Sequence, residues 1–210
     1  MPQNHESEKL KELEKLKHAP ATPGVIEEIL QRWSPRAFAD TPVAPEELKE
    51  AFEAARWAAS SFNEQPWRFL VGHKGDETYE KIFASLVEFN QSWARRAPVL
   101  ILSVAKKTFT QNGSPNYYAL HDVGAATAYL ALGATKLGFH THSMAGFDRE
   151  KAQKLFGIPE DFEPGAVTAL GYLGDPEVLS DHAKQMELSP RQRKPLSEIV
   201  LSAWDKPHSF

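Results

Sequence analysis

The sequence predicts one mixed helix-and-sheet domain, of α/β or α+β type, and three observations carry that expectation. Strand-like and helix-like stretches interleave along the chain. The run APVLILSVAK (97–106) is apolar on both alternating faces, as a strand in the middle of a sheet must be. The run GAATAYLALGATKLG (124–138) is rich in Ala and Gly and apolar nearly all round, so it reads as a helix buried on most sides.

Each element follows from its local pattern. Residues 5–18 read as a charged helix whose thin stripe, Leu10, Leu13 and Leu16, is too narrow for a core helix. The expectation is an arm lying on another surface. HAPATPG (18–24) is a hinge or linker by its Pro and Gly content. Val25 to Gln31 is helical, with Val25, Ile26, Ile29 and Leu30 on one face. Pro45 opens a helix running to about Ala59, and Glu46 and Glu47 suit the positive end of its dipole. Trp67 to His73 alternates as a strand and ends in the turn HKGDE. One helix is expected from about Glu77 to Ser92, with Tyr79, Ile82, Phe83, Leu86 and Phe89 as its apolar face. After the strand at 97–106, residues 116–137 make the longest helix. FHTHSM (139–144) is a short strand. Asp148 N-caps REKAQKLF, which Gly157 and Pro159 end. AVTALGYLG (166–174) is the last core strand. The tail from 175 is polar until KPLSEIVLSAW supplies an amphipathic end. The expected division is an arm and linker over 1–22 and a main domain over 23–210.

Bulk properties narrow the function. A chain of 210 residues can bury a sizeable core. A net charge of −4 offers no basic field for nucleic acid or an anionic membrane, so neither partner is expected. No apolar run approaches the ~20 residues that a membrane helix needs. The opening MPQNHESEKL lacks an apolar signal core, and a cytoplasmic location is expected by absence of an address. With zero Cys, disulfides, thiolate nucleophiles and Cys-held metals are excluded.

Motif chemistry narrows it further. GxxxxGK, GxGxxG after a strand, and GxSxG are all absent. Carboxylates read as solvated helix faces, not as a paired acid/base site. His140 and His142 alternate on one strand and would point the same way, and His121 precedes Asp122. A three-His metal site is thinkable, but half-buried satisfied histidines are the commoner outcome, and no metal is expected. Arginines say more. RWSPR sets Arg32 and Arg36 around Ser34, and RQRK sets Arg191 and Arg193 two apart in the tail. Two such clusters could converge on one anionic group, since guanidinium forks match phosphate oxygens. In SSFNEQPW (60–67), a connection before a strand holds Ser60, Ser61, Asn63 and Gln65, side chains that reach for amides and ligands. Loop capping explains such residues equally well when they stand alone.

Taken together, over about residues 23–204, the chain resembles the FMN-dependent nitroreductase family. RWSPRAF (32–38), SSFNEQPWRF (60–69), DVGAATAYLALGATKLGFHTHSMAGFD (122–148), GYLGDP (171–176) and RQRKPLSEIV (191–200) stand in the family's order. The resemblance implies an α+β, nitroreductase-like three-layer fold, a mostly antiparallel central sheet flanked by helices, in an obligate intertwined homodimer with FMN at the subunit interface. It implies that Arg32 contacts the FMN phosphate, with Arg191 and Arg193 from the tail. Ser34, beside Trp33, would meet the ribityl region, and Arg36 the N1/C2 carbonyl edge. Ser60, Ser61, Asn63 and Gln65 would serve the partner's ring. Ser143, Met144, Ala145 and Gly146 would lie along the ring, with the N–H of Ala145 or Gly146 aimed at N5. No side chain is implied as a catalytic acid or base, because a flavin does its own hydride chemistry and the protein tunes and positions it. A guanidinium at N1/C2=O would stabilise the charge that reduction places there.

The implied activity is an NAD(P)H oxidoreductase, NADH or NADPH being the donor. It would run ping-pong on nitroaromatics, quinones or a small conjugated carbonyl. The alternatives are a flavin-binding protein with little turnover, or a reductive dehalogenase or flavin-cleaving relative. Two departures bear on substrate choice. Many family members carry Glu or Gly where this chain has Ala145, and Cys or Pro near Ser143. The span between Phe69 and His121 is short, which leaves the flavin face either open or shielded by the 1–22 arm.

Overall fold

The computed structural model describes residues 3–210, with side chains from Glu8 onward. Helices α1 (Gln3–Lys17) and α2 (Glu27–Gln31) lead into α3 (Pro45–Arg56), which carries Pro in its first turn. Strand β1 (Trp67–His73) follows, then α4 (Glu77–Ser85), α5 (Glu88–Ala94) and β2 (Val99–Lys106). The long α6 (Ala119–Lys136) precedes β3 (His140–Met144), α7 (Arg149–Phe156) and β4 (Phe162–Gly171). The tail forms α8 (Asp181–Leu188), α9 (Leu196–Ile199) and a small hairpin, β5 (Leu201–Ala203) with β6 (Lys206–Pro207).

The main sheet runs β1-β2-β4-β3, every neighbour antiparallel. The two-faced apolar strand of the sequence is β2, and it lies inside the sheet. Its Leu100, Leu102 and Val104 pack toward α4, α5 and α7, with Tyr79, Ile82, Trp93 and Ala152. Its Val99 and Ile101 pack toward α3 and α6, with Leu48, Ala51, Leu130 and Ala134. The result is a three-layer α+β domain. Each fully buried Leu or Ile contributes about 1.5–3 kcal/mol relative to exposure, so β2 and its neighbours carry much of the core. Gly133 lets α3 and α6 approach: a Cβ there would meet the Ala54 methyl at 2.7 Å.

The structure corrects several boundaries. The helix expected over 77–92 is two helices. At Leu86 and Val87 the backbone is extended (ψ 147° and 154°) because Leu86 pairs with Phe147 and the Val87 N–H donates to the Gly146 carbonyl at 3.1 Å. Helix α2 begins only at Glu27, with Val25, Ile26 and Ile29 exposed and Leu30 buried. Strand β4 starts at Phe162, earlier than expected, and ends at Gly171. Residues 172–174 then pair with 37–39: Ala39 N–H donates to the Tyr172 carbonyl at 3.0 Å and Gly174 N–H to the Ala37 carbonyl at 2.9 Å. On α1 it is Leu13 and Lys17 that are buried, while Leu16 is exposed. The caps at Asp76, Asp148 and Gly157 sit where turn chemistry requires, and Gly157 has φ 60°.

Candidate active site

Strand β3 ends the sheet, and the segment RWSPR runs beside it. The alternation of that segment sorts its side chains. Trp33 meets His140 edge-on, with ring centroids 5.8 Å apart, and the Pro35 carbonyl accepts from His142 Nδ1 at 2.9 Å. Arg32 and Ser34 point the other way and line a cavity of about 700 Å³ together with Thr141 and Ser143 of β3. The Arg32 Nη1 donates to Ser34 Oγ at 3.2 Å. The sheet side of the cavity is completed by Ser103, Gly165 and Ala166, and its wall is α6 from Leu120 to Leu132. Those two leucines lie about 18 Å apart at a rise of about 1.5 Å per residue, so the cavity is long. Arg32 lies at the end where α2 meets the last turn of α6, tied by Glu28 to Lys136 at 3.1 Å. Arg149 lies at the Leu120 end and donates to the Gly165 carbonyl at 3.3 Å. None of the residues lining the cavity carries a carboxylate.

The two arginine clusters are brought together. Burial, followed by the nearby Arg191 and Arg193, pushes the Arg32 guanidinium below its ordinary range. Arg191 is lowered by burial and then by Arg193. Like charges gathered without a carboxylate between them leave an unmet demand for an anion. The three are not equivalent. Arg191 Nη1 donates to the carbonyls of Lys17 (2.8 Å) and Leu30 (2.6 Å), bridging the ends of α1 and α2. Arg193 is exposed and bonds only the adjacent Gln192 carbonyl among the described hydrogen bonds.

Arg36 does not line the cavity. Its Nε is buried without a hydrogen-bond partner. Its backbone N–H donates to both oxygens of Glu187, at 2.9 and 3.0 Å, and Ala37 N–H donates to Oε1 at 3.0 Å. Glu187 is 1% exposed, and burial raises its pKa against the pull of those amides and of Arg36 and Lys17. The reading of carboxylates as solvated faces therefore fails at Glu187. Within AKQMELSP nothing marked it as buried; only the distant chain that folds over it does.

Other expected residues lie at the margins. Trp33 is 4% exposed and lines a second cavity of about 510 Å³ under α1, on the opposite side from Arg32. The Met144 side chain is in the core beneath β3. Ala145 is exposed; the Gly146 carbonyl accepts from Asn90 Nδ2 at 2.9 Å as well as from Val87. A Cβ on Gly146 would meet Asn90 Nδ2 at 2.7 Å and the Val87 methyl at 3.1 Å, so it is space, not φ, that demands Gly here.

Ser60, Ser61, Asn63 and Gln65 do not line the cavity within one chain. Ser60 Oγ accepts from Gln65 N–H at 3.0 Å, and Gln65 Nε2 donates to the Asn63 carbonyl at 3.1 Å. Phe62, Asn63 and Gln65 have φ of 51°, 54° and 51°, values that L residues rarely adopt, while Glu64 between them has φ −65°. Phe62 is 93% exposed and Trp57, Tyr117 and Tyr118 are also exposed. None of the described arm residues lines the first cavity. Among the described residues no three metal-capable side chains are gathered: His142 bonds Pro35, His140 lies 3.7 Å from Glu14, and His121 is on the surface beside Asp122.

Comparison with known proteins adds an independent line. The nitroreductase family model matches residues 29–90 and 76–172. A 15.4 kDa protein from the ask 5′ region of Mycolicibacterium smegmatis is 35% identical over 149 residues, 67% of this chain and 99% of that protein. A Xanthomonas oryzae protein provisionally named as an NADH dehydrogenase/NAD(P)H nitroreductase is 27% identical over 175 residues, 75% of this chain and 88% of its own. Among solved structures, one described as an oxidoreductase containing FMN superposes with a TM-score of 0.82 at 34% identity, covering 88% of this chain and 94% of that one. A provisionally assigned nitroreductase from Desulfovibrio desulfuricans in complex with FMN gives 0.68 at 25% identity, covering 87% and 98%.

Proposed function

The chain belongs to the nitroreductase family, and from that premise we propose that it is an FMN-dependent oxidoreductase that takes electrons from NADH or NADPH and passes them to a small conjugated acceptor. The observation that carries this reading is Arg32 at one end of a long cavity that no carboxylate lines, with Arg191, bonded to the Leu30 carbonyl, and Arg193 close enough to act on its charge. A flavin mononucleotide fits that donor set: a dianionic phosphate answers the unmet positive charge, and a planar ring suits a cavity walled by Ala, Gly, Val and Leu. FMN supplies the two-electron chemistry when bound.

This chain's own residues hold and orient it. Arg32 and Arg193 grip the phosphate, with Arg191 fixed beside them. The Ser34 hydroxyl meets the ribityl chain. Ser143, which lines the cavity, and the backbone of the following loop to Gly146 would lie along the ring, with a backbone N–H of Ala145 or Gly146 available to N5. Asn90 fixes that loop through the Gly146 carbonyl, so the orientation does not depend on a mobile turn. Arg36, two residues beyond Ser34, is assigned the pyrimidine edge by its place in the segment; it is half-buried and stands outside the cavity lining of its own chain. Ser60, Ser61, Asn63 and Gln65 serve the flavin of the second subunit in a homodimer. Asn63 and Gln65 are exposed, Ser60 and Ser61 are half-buried, none of the four lines the cavity of its own chain, and exposed aromatics such as Phe62 stand beside them; these support that assignment. Acceptors would be nitroaromatics, quinones or related small conjugated carbonyls, taken in ping-pong order.

The test is the absorbance spectrum of the purified protein. Flavin bands establish the cofactor. Bleaching by NADH or NADPH, followed by recovery on adding a quinone, establishes turnover. A colourless protein that takes up no added FMN refutes the reading.

A further inference from the structure

The family match ends at residue 172, yet the RWSPR segment is held not only by His140 and His142 but also by residues outside it. Glu187 of α8 takes the N–H groups of Arg36 and Ala37. Lys17, the last residue of α1, lies with its ammonium 4.8 Å from the centre of the Trp33 ring, between Arg32 and Ser34 in sequence, and donates to the Ser189 carbonyl. Arg191 closes the circle on the carbonyls of Lys17 and Leu30. Lys17 and Glu187 are both buried charges, and each is influenced by the other. Burying two charges costs several kcal/mol unless hydrogen bonds compensate, and here the compensating partners are the Ser189 carbonyl and the N–H groups of Arg36 and Ala37, so the pair is tied to the backbone of that segment and of the tail.

We propose that Lys17 and Glu187 form a buried clasp, joining the N-terminal helix to the tail, that positions the Arg32–Arg36 segment against Arg193 and so sets the phosphate-binding geometry of the site. The two residues are positioning residues: neither lines the cavity, and each acts through the backbone or ring of the segment it holds. The arm is then part of the cofactor site in effect, though it does not cover the ring. The clasp also explains why Arg191 spends its donors on two helix-end carbonyls. It locks the tail in register so that Arg193, two residues on, is presented to the same anion as Arg32.

This inference rests on the FMN reading, and its test separates the two. Riboflavin shares the ring and ribityl chain of FMN but lacks the phosphate. The full-length protein, freed of flavin, is titrated with each by fluorescence quenching. Glu187→Gln keeps the shape but puts an amide N–H₂ against backbone donors. Lys17→Met keeps the length and the apolar stem without the charge. Each should reduce the preference for FMN over riboflavin by about tenfold, the factor that about 1.4 kcal/mol represents, and leave riboflavin affinity as it was. A role in general stability alone would weaken both flavins together or neither. Variants that keep the wild-type preference overturn the clasp, while a wild type that binds neither flavin overturns the reading of the site itself. If Glu187→Gln fails to fold by circular dichroism, Lys17→Met decides alone.

Discussion

The N–H of Ser61 donates to Asp122 Oδ2 at 2.9 Å, across 61 residues of sequence. This bond pins the loop 60–65 to the first turn of α6, and Asp122 is itself 4% exposed. Removing the carboxylate leaves a partly buried N–H without its acceptor. Asp122→Ala should destabilise the protein by about 1–3 kcal/mol, and Asp122→Asn, which keeps one acceptor oxygen, by less. Urea unfolding measures both. Equal stability for wild type and Asp122→Ala would mean that the loop gains nothing from its anchor.

Arg32 and Arg193 should separate cofactor retention from stability. In the proposed site each would supply a charge-assisted contact to the phosphate worth about 1.5–3 kcal/mol, so Arg32→Ala and Arg193→Ala should each weaken FMN binding roughly tenfold to a hundredfold. The apo protein should lose nothing with Arg193→Ala, because a like charge beside Arg32 is removed. Dissociation constants together with apo-protein melting curves test this. A drop in apo stability with unchanged FMN affinity would make Arg193 a structural residue.

Much of this arrangement could be read from sequence wherever one local rule decides. The two-faced run 97–106 had to be an inner strand, and Asp148 before an amphipathic octamer had to be an N-cap. What escaped depends on pairing with distant chain. The break at Leu86–Val87 has no Gly or Pro to announce it; it exists because Phe147 and Gly146 take those residues as partners. Glu187 resembles any helix-surface acid until Arg36 and Ala37 arrive 150 residues away in sequence. Arg149 reads as the first residue of a helix and gives no hint that it faces the cavity. In the arginine segments, spacing suggested that two clusters could meet, but only the fold tells Arg191, bound to two carbonyls, from the exposed Arg193.

His142 gives the protein a stability term that depends on pH. Burial pushes its pKa down to about 4 from 6.5, against the raising effect of the Pro35 carbonyl. A histidine with a depressed folded pKa binds its proton more readily when unfolded. Its contribution is therefore complete above pH 6.5 and is lost as the pH falls toward 4. By pH 5 the loss should be about 2 kcal/mol. The difference between wild type and His142→Gln in urea unfolding at pH 7 and at pH 5 isolates this from the carboxylates that titrate nearby. A difference that does not change with pH would show that His142 is not held neutral.

Gly146 is required for close packing. A methyl there falls 2.7 Å from Asn90 Nδ2, so Gly146→Ala must push away the side chain that holds the loop by its carbonyl. Overpacking of this kind costs about 1–3 kcal/mol. The loop should shift along the flavin, so reduction by NAD(P)H should slow more than FMN affinity falls. Asn90→Ala, which removes the bond without a clash, should slow reduction in the same direction. If Gly146→Ala reduces at the wild-type rate, residues 145–147 do not face the reacting edge.

The positive φ angles at Phe62, Asn63 and Gln65 point to a loop held in shape for a purpose, and the homodimer reading gives it one. If Asn63 serves the partner's flavin, complementation in trans should follow. One subunit carries Asn63→Asp, which sets a carboxylate near a ring that gains negative charge on reduction. The other carries Arg32→Glu, which spoils the phosphate grip of its own chain. In a shared-site dimer both lesions fall on one flavin, and the second site carries neither. The mixed dimer should then show about half of wild-type activity, since a like charge near the reduced ring costs on the order of 1–3 kcal/mol and silences the damaged site. If Asn63 served the flavin of its own chain, each site would carry one lesion and activity would stay as low as in the parent homodimers. Affinity tags of two kinds on the subunits isolate the mixed dimer from its parents. Activity in that fraction no better than in either parent sinks the trans assignment and leaves FMN binding standing.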